Sequence, residues 1–244
     1  MGQIEINHTG SGGGVVLSSD GTDLLLGGSA IGGGAALYAA NESSPQAQPS
    51  ASGSNAVAIG DDAVASGERS FSAMLDSESS GTQSAAIGRN TTSAGSLSSA
   101  FGYSATTGSS GAQAVALGRA YANGSYSFAA QIADHSSSYG ATGANSIAIG
   151  KNAKASTTNS VALGSGAISS SASIAIGTSY ANYGTVASGM NSIVLGDGNA
   201  ASQTSSVAVG YGAKSDIIGK FAYATRSFAD GNAEGSSQGG MFIL

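Results

Sequence analysis

Three neighbouring residues, Asp134, His135 and Ser136, are of the types that form a hydrolase triad. Side chains of adjacent residues point apart, whereas a Ser-His-Asp relay needs groups that converge on one another. His8 is the only other histidine and the chain has no cysteine, which argues against a zinc site of histidine and cysteine ligands. We therefore predict that this tripeptide belongs to a polar loop.

Two further patterns have the composition of a binding site without its spacing. Asp61 and Asp62 are neighbours at a predicted corner, and aspartate does not recur with the short period of a calcium-binding solenoid. The glycine-rich stretches 10–14 and 210–215 lack the third glycine of a dinucleotide loop and the full spacing of a P-loop. We therefore expect a non-enzymatic protein with no catalytic residue, no metal and no cofactor.

Alanine, serine and glycine dominate the 244 residues, of which 39 are glycine and only 9% are charged. The net charge is −6 and the eight basic residues are scattered between Arg69 and Arg226. A nucleic-acid partner needs clustered lysine and arginine, so we expect none. Residues 1–5 carry neither the basic nor the apolar part of a secretory signal, and no apolar run is long enough for a transmembrane helix.

A four-residue phrase, V/I/F-A-x-G or a weaker form of it, recurs twelve times along the chain. Its last residue falls at positions 60, 74, 88, 102, 118, 131, 150, 164, 177, 196, 210 and 224. Six of the eleven intervals are 14 residues long, and the others are 13, 16 or 19. A period of this kind predicts a repeat architecture.

Each unit holds two short runs that alternate at period 2, such as Val57-Ala58-Ile59 and then Ala63-Val64-Ala65. Alternation that is closed by glycine or small polar residues is typical of short strands. An amphipathic helix is disfavoured, because each of the frequent glycines would cost it ~1 kcal/mol. Two strands and two corners in ~14 residues predict one coil of a narrow all-β solenoid.

The first strand of each unit is apolar on both faces, since Val57 and Ile59 share one side and alanines occupy the other. Strands with two apolar faces are buried on both, so we expect one face to line the coil and the other to meet a partner chain. The sequence leaves open which face does which. The second strand, as in Lys154-Ala155-Ser156, has alanine on one face only and is expected to be half-solvated.

The segments on either side of the repeats differ from them in sequence. Strands are predicted at 4–6, 15–17 and 24–26, with an Asp-Gly turn before the third. The predicted division of the chain is a β-rich attachment segment at 1–40, a linker at 41–53, the solenoid at 54–231, and a C-terminal segment at 232–244 that docks or leads to a further domain.

The pattern N-S-x-A-I-G-x-x-A-x-A occurs in full at residues 145–155, and its first half recurs closely at 159–164 and 191–196. On these residues the repeat, over about 54–231, resembles the YadA-like head of trimeric autotransporter adhesins. Similar repeats also occur in phage tail fibres. The resemblance implies a left-handed parallel β-roll that assembles as a homotrimer and serves surface attachment.

The resemblance implies a structural fibre or adhesin. A trimeric autotransporter also needs a signal peptide, a coiled-coil stalk and a membrane anchor, which this sequence does not show. We therefore favour a phage tail fibre on the virion, joined to the tail or to another fibre protein through its N-terminal segment. The alternative is an adhesin head on the bacterial cell surface. In both, the expected partner is a receptor on the host-cell surface.

Two units carry five extra residues, at 132–145 and 178–191, and each insertion contains a Tyr-Gly pair. Insertions in a solenoid map to loops that often form the binding face, and tyrosine is a common recognition residue. We predict that these loops contact the receptor, the alternative being spacer loops packed on the next coil. The candidate contact residues are His135, Tyr139, Asn182 and Tyr183.

Two other solenoid classes fit the pattern less well. Acyltransferases of the hexapeptide type repeat in multiples of six and typically use a catalytic histidine, which the 14-residue period and two isolated histidines oppose. An ice-binding solenoid needs a regular ladder of threonine on one face, and threonine is irregular here.

Overall fold

The computed structural model describes residues 4–6, 15–19, 24–26, 29–31, 48–131, 138–179, 184–224 and 238–241. The chain divides into two compact units, Met1–Pro45 and Gln46–Leu244. Within the described ranges every regular element is a strand. These ranges contain no helix that is long and apolar enough to span a membrane.

The first unit contains a four-stranded antiparallel sheet in the order β1-β2-β3-β4. Its strands are β1 (Ile4–Ile6), β2 (Val15–Ser19), β3 (Leu24–Leu26) and β4 (Ser29–Ile31). Ser19 pairs with Leu24, which confirms the hairpin that the Asp-Gly signal predicts. The residues of that turn lie outside the described ranges.

The second unit is a parallel β-solenoid of twelve coils, each with one long and one short strand. The long strands are β6 (Val57–Ile59), β8 (Phe71–Ala73), β10 (Ala85–Ile87), β12 (Ser99–Phe101), β14 (Val115–Gly118), β16 (Phe128–Gln131), β18 (Ile147–Ile149), β20 (Val161–Leu163), β22 (Ile174–Ile176), β24 (Ile193–Asp197), β26 (Val207–Tyr211) and β28 (Phe221–Ala224). The short strands are β5 (Ser50–Ala51), β7 (Val64–Ala65), β9 (Glu78–Ser79), β11 (Thr92–Ser93), β13 (Thr106–Thr107), β15 (Tyr121–Ala122), β17 (Gly140–Ala141), β19 (Lys154–Ala155), β21 (Ile168–Ser169), β23 (Val186–Ala187), β25 (Ala200–Ala201) and β27 (Lys214–Ser215).

Successive coils stack in register. Val57 pairs with Phe71, and Ile147 pairs with Val161, so equivalent residues of neighbouring coils lie directly over one another. The long strands form one sheet and the short strands a second sheet. The parallel solenoid predicted from the 14-residue period is therefore confirmed, and each of the twelve recurring phrases coincides with a long strand.

The interior of the solenoid contains almost only small side chains. From β8 onward the second residue of every long strand is buried, and it is alanine in all but two of them, where it is Ser72 or Val194. The large residues on either side of it point outward. The structure thus decides the question that the sequence leaves open, because the alanine face lines the coil and the aliphatic face lies outside.

Part of this interior is polar. Ser93 and Ser98 share a hydrogen bond of 2.8 Å, and Ser98 shares another of 2.8 Å with Thr107 in the next coil. Buried hydroxyl groups are tolerated when they are hydrogen-bonded to one another. These bonds explain why serine and threonine can replace alanine inside the coils that span residues 70–107.

Strand pairing defines both ends of the described solenoid. The short strand β5 pairs in parallel with β7, so the ladder begins within the stretch 41–53 that the sequence predicts as a linker. At the other end β29 (Gln238–Met241) pairs antiparallel with β28 and covers the edge of the last coil. Pairing of an edge strand removes an exposed row of backbone donors and acceptors.

Candidate functional site

The connection from each short strand to the next long strand, here the second corner, explains the Asn-Ser pair of the repeat. Asn145 and Asn159 adopt the left-handed conformation, with φ of 52° and 60°. Asparagine tolerates that conformation better than most residues. Ser160 Oγ then donates a hydrogen bond of 2.6 Å to the carbonyl oxygen of Thr157. These motif residues shape a turn and are not available for chemistry.

The connection from each long strand to the next short strand, here the first corner, explains the glycine of the repeat. Gly88 has φ of 136°, and a Cβ atom there would lie 1.8 Å from the carbonyl oxygen of Gly102 in the next coil. At Gly88 the backbones of the two coils therefore meet too closely for a side chain. Both insertions in the repeat fall in first corners, between β16 and β17 and between β22 and β23.

The outward residues of the long strands form what we call the outer ladder, which consists of two parallel columns. Ile147 and Ile149 keep 38% and 40% of their surface exposed in the single chain. The first column contains Val57, Phe71, Ala85, Ser99, Val115, Phe128, Ile147, Val161, Ile174, Ile193, Val207 and Phe221. The second column contains Ile59, Ala73, Ile87, Phe101, Leu117, Ala130, Ile149, Leu163, Ile176, Leu195, Val209 and Tyr223.

The predicted receptor loops are described only at their edges. Tyr139 lies at a bend before β17 and is half-buried. His135, Asn182 and Tyr183 lie outside the described ranges, so their role in binding stays a prediction. The described residues on either side of each loop belong to first corners, which follow one another along one edge of the solenoid.

A cluster that the sequence interpretation missed lies along the same edge. Arg89, Tyr103 and Arg119 each follow the glycine of a first corner, in three successive coils. The Cζ atom of Arg89 lies 5.9 Å from the centre of the Tyr103 ring, and that of Arg119 lies 5.6 Å from it. The signal was present in the sequence, as two arginines and a tyrosine at one position of the repeat.

Two of the patterns considered above as possible binding sites form turns or strands in the described part of the chain. Asp62 has φ of 53° and occupies a turn, and the glycine-rich stretch 210–215 spans β26 and β27. Asp134-His135-Ser136 lies outside the described ranges. Among the described residues no three histidine, aspartate or glutamate side chains are grouped as metal ligands.

The solenoid matches one family model, the YadA head domain repeat in its two-copy form, over residues 51–72, 141–167 and 187–213. These segments are YadA head repeats. None of the curated proteins matches the chain. The segment 141–167 contains the full N-S-x-A-I-G-x-x-A-x-A pattern, and its second corners hold the left-handed asparagines described above.

YadA heads are β-rolls of surface-exposed adhesins, and the repeats indicate an adhesin-like, adhesive function for the solenoid. The YadA head β-solenoid is a fold of adhesins and structural proteins. Two features of the YadA-type solenoid are candidates for interaction: the outer ladder, and the edge formed by the first corners.

Proposed function

We propose that the chain is a non-enzymatic subunit of a homotrimeric adhesive fibre, and that its solenoids associate through the outer ladder. The exposed apolar columns carry this proposal. Soluble proteins rarely leave a continuous apolar surface of this kind open to water. Here the ladder is continuous over twelve coils, and large residues such as Leu117, Ile149 and Leu195 remain 36–40% exposed in the single chain.

The distribution of residue sizes supports a second copy of the same chain as the occupant. Where one column of a coil carries phenylalanine, the other carries a small residue, as in Phe71 with Ala73 and Phe128 with Ala130. In a cyclic trimer, the first column of one subunit meets the second column of its neighbour at the same level. Large and small residues then alternate around the axis and fill it evenly. The last coil, with Phe221 and Tyr223, departs from this rule.

The fibre is proposed to be a phage tail fibre that mediates host attachment from the virion. In this proposal the β1–β4 sheet, which forms a unit separate from the solenoid, joins the subunit to the tail or to another fibre protein. The second candidate is an adhesin head on the bacterial cell surface, which the YadA head repeats favour. Immunogold labelling of virions and of intact bacteria distinguishes the two locations.

Attachment is tested by binding of the purified, fluorescently labelled protein to candidate host cells. The receptor-loop prediction adds the variants Tyr139→Ala and Tyr183→Ala, which are expected to reduce cell binding at least tenfold when combined, since aromatic anchors dominate many interfaces. Ser202→Ala, an exposed residue at a second corner, is the control. Binding by the double variant at the wild-type level would show that the loops are spacers. Failure of the wild type to bind any host would contradict the adhesive function itself.

A further inference from the structure

The Arg89-Tyr103-Arg119 cluster is held by a rigid part of the solenoid. The N–H of Ser104 donates a hydrogen bond of 2.9 Å to the carbonyl oxygen of Arg89, and the N–H of Gly102 donates one of 2.9 Å to Ile87. Neighbouring first corners are thus bonded to each other through the backbone. The three side chains project from a rigid backbone, which reduces the entropy that is lost when a ligand binds.

Among the residues that the structure describes, neither guanidinium group of the cluster has a partner of opposite charge. Elsewhere Arg69 pairs with Glu68 at 3.2 Å and Lys220 pairs with Asp216 at 3.1 Å. In the described part of the chain no carboxylate forms an ion pair with Arg89 or Arg119. Two cations close to one ring repel each other, and an anion bound beside them would reduce that repulsion.

A second observation also indicates a missing acceptor. Nε of Arg119 is buried and has no hydrogen-bond partner. A buried donor without an acceptor is unfavourable, so a turn of the Arg119 side chain that brings Nε to an acceptor at the surface would be stabilising. Both Cζ atoms also lie near the outer limit of ~6 Å for a cation–π contact, which leaves the guanidinium groups able to turn toward a ligand.

The functional groups of the cluster indicate the class of ligand that it would bind. Guanidinium groups bind a carboxylate through two parallel hydrogen bonds. Tyr103, which is 48% exposed, adds an apolar ring edge and a hydroxyl group, which suit the C–H face and hydroxyl groups of a sugar. We propose that the cluster binds a carboxylate-bearing glycan, such as one ending in sialic acid. This inference rests on the adhesive function proposed above and names the class of its receptor.

An exposed corner gives only weak binding at one site. A homotrimer presents three copies, and simultaneous engagement of several glycans raises the overall affinity through effective concentration. The cluster lies on the same edge as the predicted receptor loops, so both can face one cell surface.

The test is titration calorimetry of the assembled protein with 3′-sialyllactose, with lactose as the neutral control. We expect sialyllactose to bind and lactose not to bind. The double variant Arg89→Gln, Arg119→Gln should lose at least tenfold in affinity, and Tyr103→Ala a smaller factor. Arg69→Gln, an exposed arginine at a second corner, is the matched control and should bind like the wild type.

Equal binding of lactose, absence of sialyllactose binding, or an unchanged affinity of the double arginine variant would overturn the proposal. All variants change outward side chains, and circular dichroism verifies their fold. Host-cell binding is measured in parallel. Wild-type protein that binds cells but not sialyllactose rejects the glycan site and leaves the adhesive function standing, whereas wild-type protein that binds neither rejects both.

Discussion

At the scale of single residues, the second corners of the solenoid depend on one left-handed position in each coil. The position is filled by asparagine in four of the eleven coils where a residue other than glycine adopts it, as in Asn55, Asn145, Asn159 and Asn191. In other coils the same conformation is adopted by residues less suited to it. Leu97, with φ of 58°, is an example. Left-handed conformations cost an ordinary L-residue ~1–2 kcal/mol, so these coils are strained.

Leu97→Asn is therefore expected to stabilise the protein by about 1 kcal/mol, because asparagine adopts the left-handed conformation more readily. Leu97 is half-exposed, so its replacement leaves no cavity in the core. The measurement is the midpoint of denaturant unfolding at a fixed protein concentration, since assembly makes stability depend on concentration.

The reverse change, Asn159→Leu, is the matched control and should lower the unfolding midpoint by a similar amount. If Leu97→Asn lowers the midpoint and Asn159→Leu raises it, side-chain hydrophobicity and not backbone conformation determines stability at these corners.

At the scale of elements, a buried asparagine links two coils at the first corner after β24. Asn199 Nδ2 donates hydrogen bonds of 2.7 Å to Leu195 O and 2.6 Å to Gly210 O, and its Oδ1 accepts one of 2.7 Å from the N–H of Ala213. The side chain is fully buried. The corner can therefore bulge outward without leaving its backbone groups unpaired.

Asn199→Ala should destabilise the protein by about 3 kcal/mol, because it leaves three buried backbone groups without a partner. Ser202→Ala, three residues further on and exposed, is expected to have no effect beyond about 0.5 kcal/mol. A change of less than 1 kcal/mol for Asn199→Ala would mean that water or a backbone shift replaces these bonds. Denaturant unfolding at equal protein concentration measures both variants.

The strands themselves could be predicted from the sequence, but the direction of their faces could not. The twelve phrases locate the twelve long strands because glycine and alternation act within a few residues of the chain. The inward face depends on the distance between the two sheets, which a tertiary arrangement determines. A coil of ~14 residues brings the sheets so close that Ala148 fits between them and Ile147 does not.

At the scale of the whole molecule, the outer ladder is the surface that assembly would bury. Its columns hold the largest apolar side chains of the solenoid, while the interior holds few side chains larger than serine or threonine. Core burial alone is therefore small for a chain of this length, and the hydrophobic contribution that a single solenoid lacks would come from contact between subunits.

The arginine–tyrosine cluster could have been found from the sequence, since its members share one repeat position. It was missed because arginine and tyrosine are different residue types, and the sequence alone does not show that the two kinds of side chain contact each other across coils. The buried Nε of Arg119 is a tertiary property with no signal in the sequence.

The most direct test of the assembly is the mass in solution of a variant with a charged outer ladder. The triple variant Ile149→Asp, Leu163→Asp, Ile176→Asp places three carboxylates in the second column. The matched control, Lys154→Asp, Ile168→Asp, Val186→Asp, places three on the outward face of the short strands in neighbouring coils.

Sedimentation equilibrium should show the wild type and the control at three times the chain mass of 23.3 kDa. The ladder variant should have the mass of a single chain, folded or unfolded. Burial of three unpaired charges in a contact between subunits is too costly for the trimer to survive. A monomeric wild type, or a ladder variant that remains trimeric, would contradict the account.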